Sequence, residues 1–209
     1  MINVTKIKNG CNCYIVENGT NSILIDAGIN AGADKIIRAC KEKNVKLLLL
    51  THGHMDHIQC AAKIMKELQV PVFMHEKDLG LIADNLSQPM NGRTLRGKVV
   101  AFFSKLSAKS GSIQTFEILE PITGDTTIQE SGMNIEIMEL PGHTKGSIGI
   151  KIENHFFVGD ALMHMGKADI SLLYENMDDL QKSARKIGDV KDTMIYFGHG
   201  EPITNRSWI

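Results

Sequence analysis

The sequence predicts a mixed α/β fold in which β-sheet is covered by helices. Three observations carry that expectation. β-rich runs bounded by turn residues recur along the chain, amphipathic helical spacing separates several of them, and one run, Val45–Leu50, is apolar almost throughout, as in a strand buried on both faces. The 209 residues suit a single domain, with a core large enough to need no disulfide staples. An apolar fraction of 43% against a charged fraction of 22% is that of an ordinary globular protein. Acids (24) nearly cancel bases (23), which argues against nucleic-acid binding and gives no reason to expect a membrane as partner.

In chain order, Cys13–Val16 and Ser22–Ile25 read as strands joined through Asn18-Gly19, a hairpin turn signal. Ala33, Ile36, Ile37 and Cys40 then mark one face of a helix, and Val45–Leu50 the buried strand. Ala61, Ile64, Met65 and Leu68 mark a second helix and Pro71–Met74 another strand. Leu79–Asn91 is broken by Pro89 and Asn91. Leu95, Val99, Phe102, Phe103 and Leu106 predict one apolar helix face, so that 79–111 forms a helical insert. Strands are expected again at Thr115–Leu119, Asn134–Glu139, Ser147–Ile152 and Phe156–Val158, then a helix through Met177, Leu180, Ala184 and Ile187 and a last strand at Thr193–Phe197.

The first residues show no apolar export segment, and no apolar run approaches a membrane span. The four cysteines, Cys11, Cys13, Cys40 and Cys60, therefore read as reduced thiols in a cytoplasmic protein, a monomer or homodimer, with Cys11 and Cys13 as small buried hydrophobes on one strand face.

The chemistry is concentrated after Val45–Leu50, where Thr51-His52-Gly53-His54-Met55-Asp56-His57 puts three histidines and an aspartate within six residues. His52 and His54, two apart on extended backbone, project the same way, and Asp56 and His57 lie past the bend into a helix. Burying such a cluster is costly unless metal ions compensate. His143, Asp160 and His199 each stand beside glycine at the end of a β-run, where loops bring side chains to one rim of a sheet.

The string His52-x-His54-x-Asp56-His57 resembles the signature of the metallo-β-lactamase-fold superfamily. So do Ile25-Asp26-Ala27-Gly28, Pro141-Gly142-His143-Thr144, Val158-Gly159-Asp160 and Gly198-His199-Gly200, in that order along nearly the whole chain. The resemblance implies an αββα sandwich, two mixed β-sheets face to face with helices outside. It implies two divalent metal ions at one edge, Zn2+ first, with iron or manganese as the alternatives. His52, His54 and His143 would bind one metal, Asp56, His57 and His199 the other, and Asp160 both. A metal-bridging hydroxide would then cleave a small thioester, ester or lactone, with Asp56 and Asp160 as the catalytic carboxylates. The full ligand set is most similar to the glyoxalase II-like and lactonase-like hydrolases. The alternatives are a phosphodiesterase of the same fold and an iron-dependent persulfide dioxygenase-like oxidoreductase.

Asp26 resembles a residue placed beneath the metals. Gly166-Lys167-Ala168-Asp169 resembles a glyoxalase II-like element in which Asp169 would hydrogen-bond a ligand histidine. Two departures leave the substrate open: the glutathione-binding helical domain of glyoxalase II does not follow His199, and no tyrosine follows Asp160 before Tyr174. Candidate pocket residues are Arg93 and Arg96, from a stretch with five bases and no acid between Ser87 and Ser112, with Lys145, Met163, His164 and Tyr174. That basic stretch leads to the expectation of an anionic substrate capped by the 79–111 insert. The remaining histidines, His75 and His155, read as structural.

Overall fold

The structure, a computed structural model, describes residues 1–209. It contains two β-sheets. The first is built from β1 (Ile2–Asn9), β2 (Cys11–Asn18), β3 (Asn21–Ile25), β4 (Val45–Leu49) and β5 (Val72–Phe73), in that spatial order. Its first three strands run antiparallel and its last pairs are parallel. α1 (Ala33–Glu42), the short α2 (Met55–Ile58) and α3 (Ala61–Leu68) belong to the same half.

The middle of the chain holds α4 (Gly80–Ala83), β6 (Asn91–Gly92) and the long α5 (Leu95–Ser110), whose first turn is capped by the Thr94 side chain accepting from Gly97 N. β7 (Thr126–Glu130), β8 (Met133–Glu139), β9 (Ile148–Ile152) and β10 (His155–Phe157) follow. A hairpin of β11 (Leu162–Met165) and β12 (Lys167–Ile170) comes next, then β13 (Leu173–Tyr174), α6 (Met177–Asp189), β14 (Met194–Tyr196) and β15 (Ile203–Thr204). The second sheet has the order β15-β14-β10-β9-β8-β7, with β10 and β14 parallel.

Alternation along the strands explains the layering. In β2, Cys11, Cys13 and Ile15 face one way and pack with Leu24, Leu48 and the inner faces of α1 and α3. Tyr14 and Val16 face the other way and, with Ile23, Ile25, Leu47 and Leu49, meet Ile135, Ile137, Ile148, Ile150 and Phe157 of the second sheet. The outer face of that sheet carries Phe156, Ile195 and Phe197 against Ala184 and Ile187 of α6. The layers are therefore helix, sheet, sheet, helix. Sheet one is covered on both faces, which is why Val45–Leu49 reads as an apolar run, and each large aliphatic buried there contributes about 1.5–3 kcal/mol.

Several details differ from the expectations. The strand β1 was not expected, because it is a half-buried edge whose lysines interrupt its apolar alternation. Thr115–Leu119 forms no strand; Ile113, Phe116 and Ile118 instead lie against the helix side of sheet one without a ladder partner. The apolar stripe of α5 is left uncovered by the rest of the fold. Leu95, Val99, Phe102, Phe103 and Leu106 are all exposed, and the buried positions are the small residues Gly97 and Ala101. The Cβ of any residue at 97 would come within 2.6 Å of Leu172 O, so close approach rather than apolar bulk seats this helix. No helix is long and apolar enough to cross a membrane.

Candidate metal centre

Strand ends from both sheets converge at one edge of the sandwich. His52 and His54 follow β4, and Asp56 and His57 lie in α2. His143 stands in the β8–β9 connection, Asp160 just past β10 and His199 just past β14. Gly159, at φ 51°, makes the turn that presents Asp160; a side chain there would meet Thr51 Oγ1 at 2.6 Å.

The seven side chains form overlapping groups of potential ligands. His52, His54 and His143 make one and Asp56, His57 and His199 another, each with ligand atoms within 4.8 Å of one another. Asp160 lies between them. Its Oδ2 is 3.8 Å from His143 Nε2 and 3.4 Å from His199 Nε2, and its Oδ1 is 3.6 Å from His57 Nε2. His199 Nε2 also lies 3.1 Å from Asp56 Oδ2.

Behind this front the far ring nitrogens are anchored. His57 Nδ1 lies 2.8 Å from Asp26 Oδ2, and His143 Nδ1 donates to Leu173 O at 3.0 Å beside Ser171 Oγ. The Thr51 hydroxyl donates to Asp26 and sits 3.1 Å from His52 Nδ1. These contacts thus hold the rear ring nitrogens and leave Nε2 of His52, His57 and His143 facing the site, the last 2.9 Å from His54 Nδ1. Asp26 itself has φ 61°, a conformation that aspartate tolerates better than most residues.

Electrostatics divide the two groups. Burial pushes His52, His54 and His143 down, which keeps them neutral and able to ligate. Burial also opposes charge on His57, but the Asp26, Asp56 and Asp160 carboxylates outweigh it and push its pKa up to about 10. Asp160 raises His199, and burial raises Asp160. Burial works against ionisation of Asp56 too, yet His57 and His199 hold it well below the usual carboxylate range. Three buried atoms, His52 Nε2, His57 Nε2 and Asp160 Oδ1, have no hydrogen-bond partner. Each such orphan costs about 1–3 kcal/mol, and all three point into the cluster, where cations would satisfy them. The donor set therefore fits metal ions.

A cavity of about 390 Å³ opens over the cluster, with His54, Asp56, His143, Asp160 and His199 at its floor and α5 along one wall. Met163 lines it, whereas Arg93, Arg96, Lys145, His164 and Tyr174 do not. Arg93 is held by Asp169 at 2.7 Å and by the carbonyls of Ser171 and Ile170. That ion pair also corrects the expectation for Asp169, which touches no histidine; Ser171 and Leu173 O fill that place at His143. Arg96 donates to Met165 O on a neighbouring surface hollow. His164 Nδ1 lies 2.7 Å from Glu201 O with its ring against Phe197, Lys145 is exposed, and Tyr174 pairs with Asn91 in a short ladder. The basic stretch is thus used in structure or solvated.

Ser171 escaped sequence reasoning, and so did a second residue. Asp78, fully buried, accepts from Gly53 N (2.9 Å), Gly146 N (2.8 Å) and Thr144 Oγ1 (2.6 Å). It ties the backbone between His52 and His54 to the loop that follows His143. Its only sequence signal is an acid just past a β-run, which is too common to single out.

A model of the metallo-beta-lactamase superfamily matches residues 8–199. Hydroxyacylglutathione hydrolase GloC of Haemophilus influenzae is 30% identical over 213 residues, spanning 98% of this chain and 91% of that protein. The probable metallo-hydrolase YybB of Bacillus subtilis is 29% identical over 201 residues, spanning 91% of this chain and 80% of the relative. The crystal structure of the BLEG-1 B3 metallo-beta-lactamase matches with a TM-score of 0.75 at 20% identity, over 97% of this chain and 94% of that one, a likeness of fold.

Proposed function

The chain belongs to the metallo-β-lactamase superfamily, and from that premise we propose that it is a hydrolase holding two divalent cations and cleaving a small thioester, ester or lactone. The observation that carries this reading is the pair of ligand groups sharing Asp160, with buried orphan nitrogens and a carboxylate oxygen aimed between them. His52, His54 and His143 would hold one cation, Asp56, His57 and His199 the other, and Asp160 would contact both. Imidazole and carboxylate together suit zinc, and accept iron or manganese. When bound, the cations would supply Lewis acidity and bring the pKa of a water to about 7.

The remaining work falls to the chain itself. Asp56 and Asp160 offer carboxylate oxygens at the cavity floor that accept hydrogen bonds from an attacking water and orient it. Asp26, Thr51 and Ser171 keep the ligand imidazoles turned toward the site. α5 caps the floor from one side, and its wall limits the water that reaches the reacting bond, which strengthens every electrostatic interaction inside. The four unbridged thiols fit a reducing compartment, the cytoplasm. A relative named for hydrolysing hydroxyacylglutathione makes thioesters the first substrates to try.

The test is metal analysis of purified protein with a hydrolysis screen over S-lactoylglutathione, simple thioesters, acyl-homoserine lactones and bis-p-nitrophenyl phosphate. Two metals per chain and turnover of a thioester, ester or lactone, lost in Asp56→Ala, is the expected result. Turnover of none by the doubly loaded protein overturns the reading, and one iron per chain with oxygen uptake would favour the persulfide dioxygenase-like alternative.

A further inference from the structure

The cavity above the ligand cluster has a composition that the ligands do not explain. Beyond the five floor residues it is walled by Met55, Met90, Met163, Met165 and Leu173 on the body, and by Val99, Val100, Phe103 and Ala108 of α5. No lysine or arginine lines it. The guanidiniums of Arg93 and Arg96 are bound outside it, Arg93 to Asp169 and Arg96 to the Met165 carbonyl. Lys98, Lys105 and Lys109 are on the exposed side of α5. The polar wall residues are Asn85, Ser104 and Ser107. Asn85 is already committed, accepting from Met55 N and donating to Gly53 O and Leu81 O. An anionic substituent laid along the α5 and methionine wall, away from the floor, would give up its hydration with no lysine or arginine there to meet it.

Resting on the hydrolase reading above, we propose that the site is selective for uncharged substrates carrying an apolar acyl chain, and that α5 and the methionine wall form the acyl subsite. Methionines suit this use, since their unbranched, polarisable side chains adapt to chains of different length. α5 is the natural selector because it brings Val100, packed against Met90 and Leu173, and the exposed Phe103 to the same cavity wall. Full transfer of one methylene from water to an apolar wall is worth about 0.8 kcal/mol, or roughly fourfold; in a half-open cavity about two- to fourfold per methylene is expected.

The experiment compares kcat/KM of the metal-loaded protein on acetyl, butyryl and hexanoyl thioesters of N-acetylcysteamine, which is neutral, and of glutathione, which is anionic. The expected result is a rise of at least tenfold from acetyl to hexanoyl on the neutral carrier, and at least tenfold lower values with glutathione at equal acyl length. Phe103→Ala should lower the hexanoyl value more than the acetyl value, and Lys105→Ala should change neither. A reading without turnover is calorimetric titration with hexanamide, expected to show a negative heat-capacity change on binding that weakens in Phe103→Asp. A flat chain-length series, or preference for the glutathione carrier, overturns the acyl-subsite proposal while the hydrolase stands. Failure to hydrolyse any thioester, ester or lactone with both metals present overturns the hydrolase reading and the subsite with it.

Discussion

His57 Nδ1 and Asp26 Oδ2 lie 2.8 Å apart with both side chains almost wholly removed from solvent. The contact joins two segments 31 residues apart and fixes which nitrogen of His57 faces the cluster. Asp26 also accepts from Thr51 N and from the Thr51 hydroxyl, which stands behind His52. One carboxylate therefore orients a candidate ligand in each group. Asp26→Ala should lower metal affinity about 10- to 100-fold, the usual cost of losing such a support. Competitive titration with a chromophoric chelator reads it, and affinity within twofold of the parent would show that the contact does not orient the ligands.

Asp78 makes a separate prediction, because it supports backbone rather than a ring. In Asp78→Ala, Gly53 N and Gly146 N lose their acceptor in a fully buried place. Two unsatisfied donors at about 1–3 kcal/mol each give a loss of about 2–6 kcal/mol in urea unfolding. Because Gly53 lies between His52 and His54, the affinity of their group should fall while that of Asp56, His57 and His199 holds. Equal weakening of metal binding at both groups would make Asp78 merely a stabiliser.

These two residues also mark where sequence reading stops. The seven ligand candidates were legible because each stands at a strand end beside glycine or within one dense string, so local pattern carries them. Asp26 was legible only through its motif. Asp78 and Ser171 act through backbone groups and loops that are distant in sequence, and nothing local distinguishes them from ordinary turn residues. The layered core was legible from alternation in β2 and β4. The α5 stripe was legible as periodicity, but periodicity says which residues share a face and not what that face meets. The basic stretch misled for a similar reason: charge density in sequence does not reveal that Arg93 is already paired with Asp169.

Gly198 tests how tightly the floor is packed. A Cβ at this position would overlap the Asp160 carboxylate and come within 2.7 Å of His57 Cε1. Gly198 N also donates to Gly159 O at 2.8 Å, so the backbone has little room to retreat. Gly198→Ala should displace Asp160 and lower kcat at least tenfold, with bound metal falling below the parent's content by elemental analysis. Unchanged metal content and kcat would place Asp160 outside the site's working geometry.

The four cysteines are all buried and unbridged, and Cys11 Sγ lies 3.8 Å from Cys13 Sγ beneath the cluster. Burial pushes the Cys40 and Cys60 thiols up to about 12 and raises Cys11 as well. Since the thiolate is the nucleophile, its fraction near neutral pH falls by orders of magnitude relative to an ordinary thiol, and access is blocked besides. The native protein should therefore give no fast reaction with Ellman's reagent, and all four thiols should react once it is unfolded in guanidinium. Stoichiometric labelling of native protein within minutes would mean that the helix side of sheet one opens readily, and hydrogen exchange of α1 and α3 would then be fast as well.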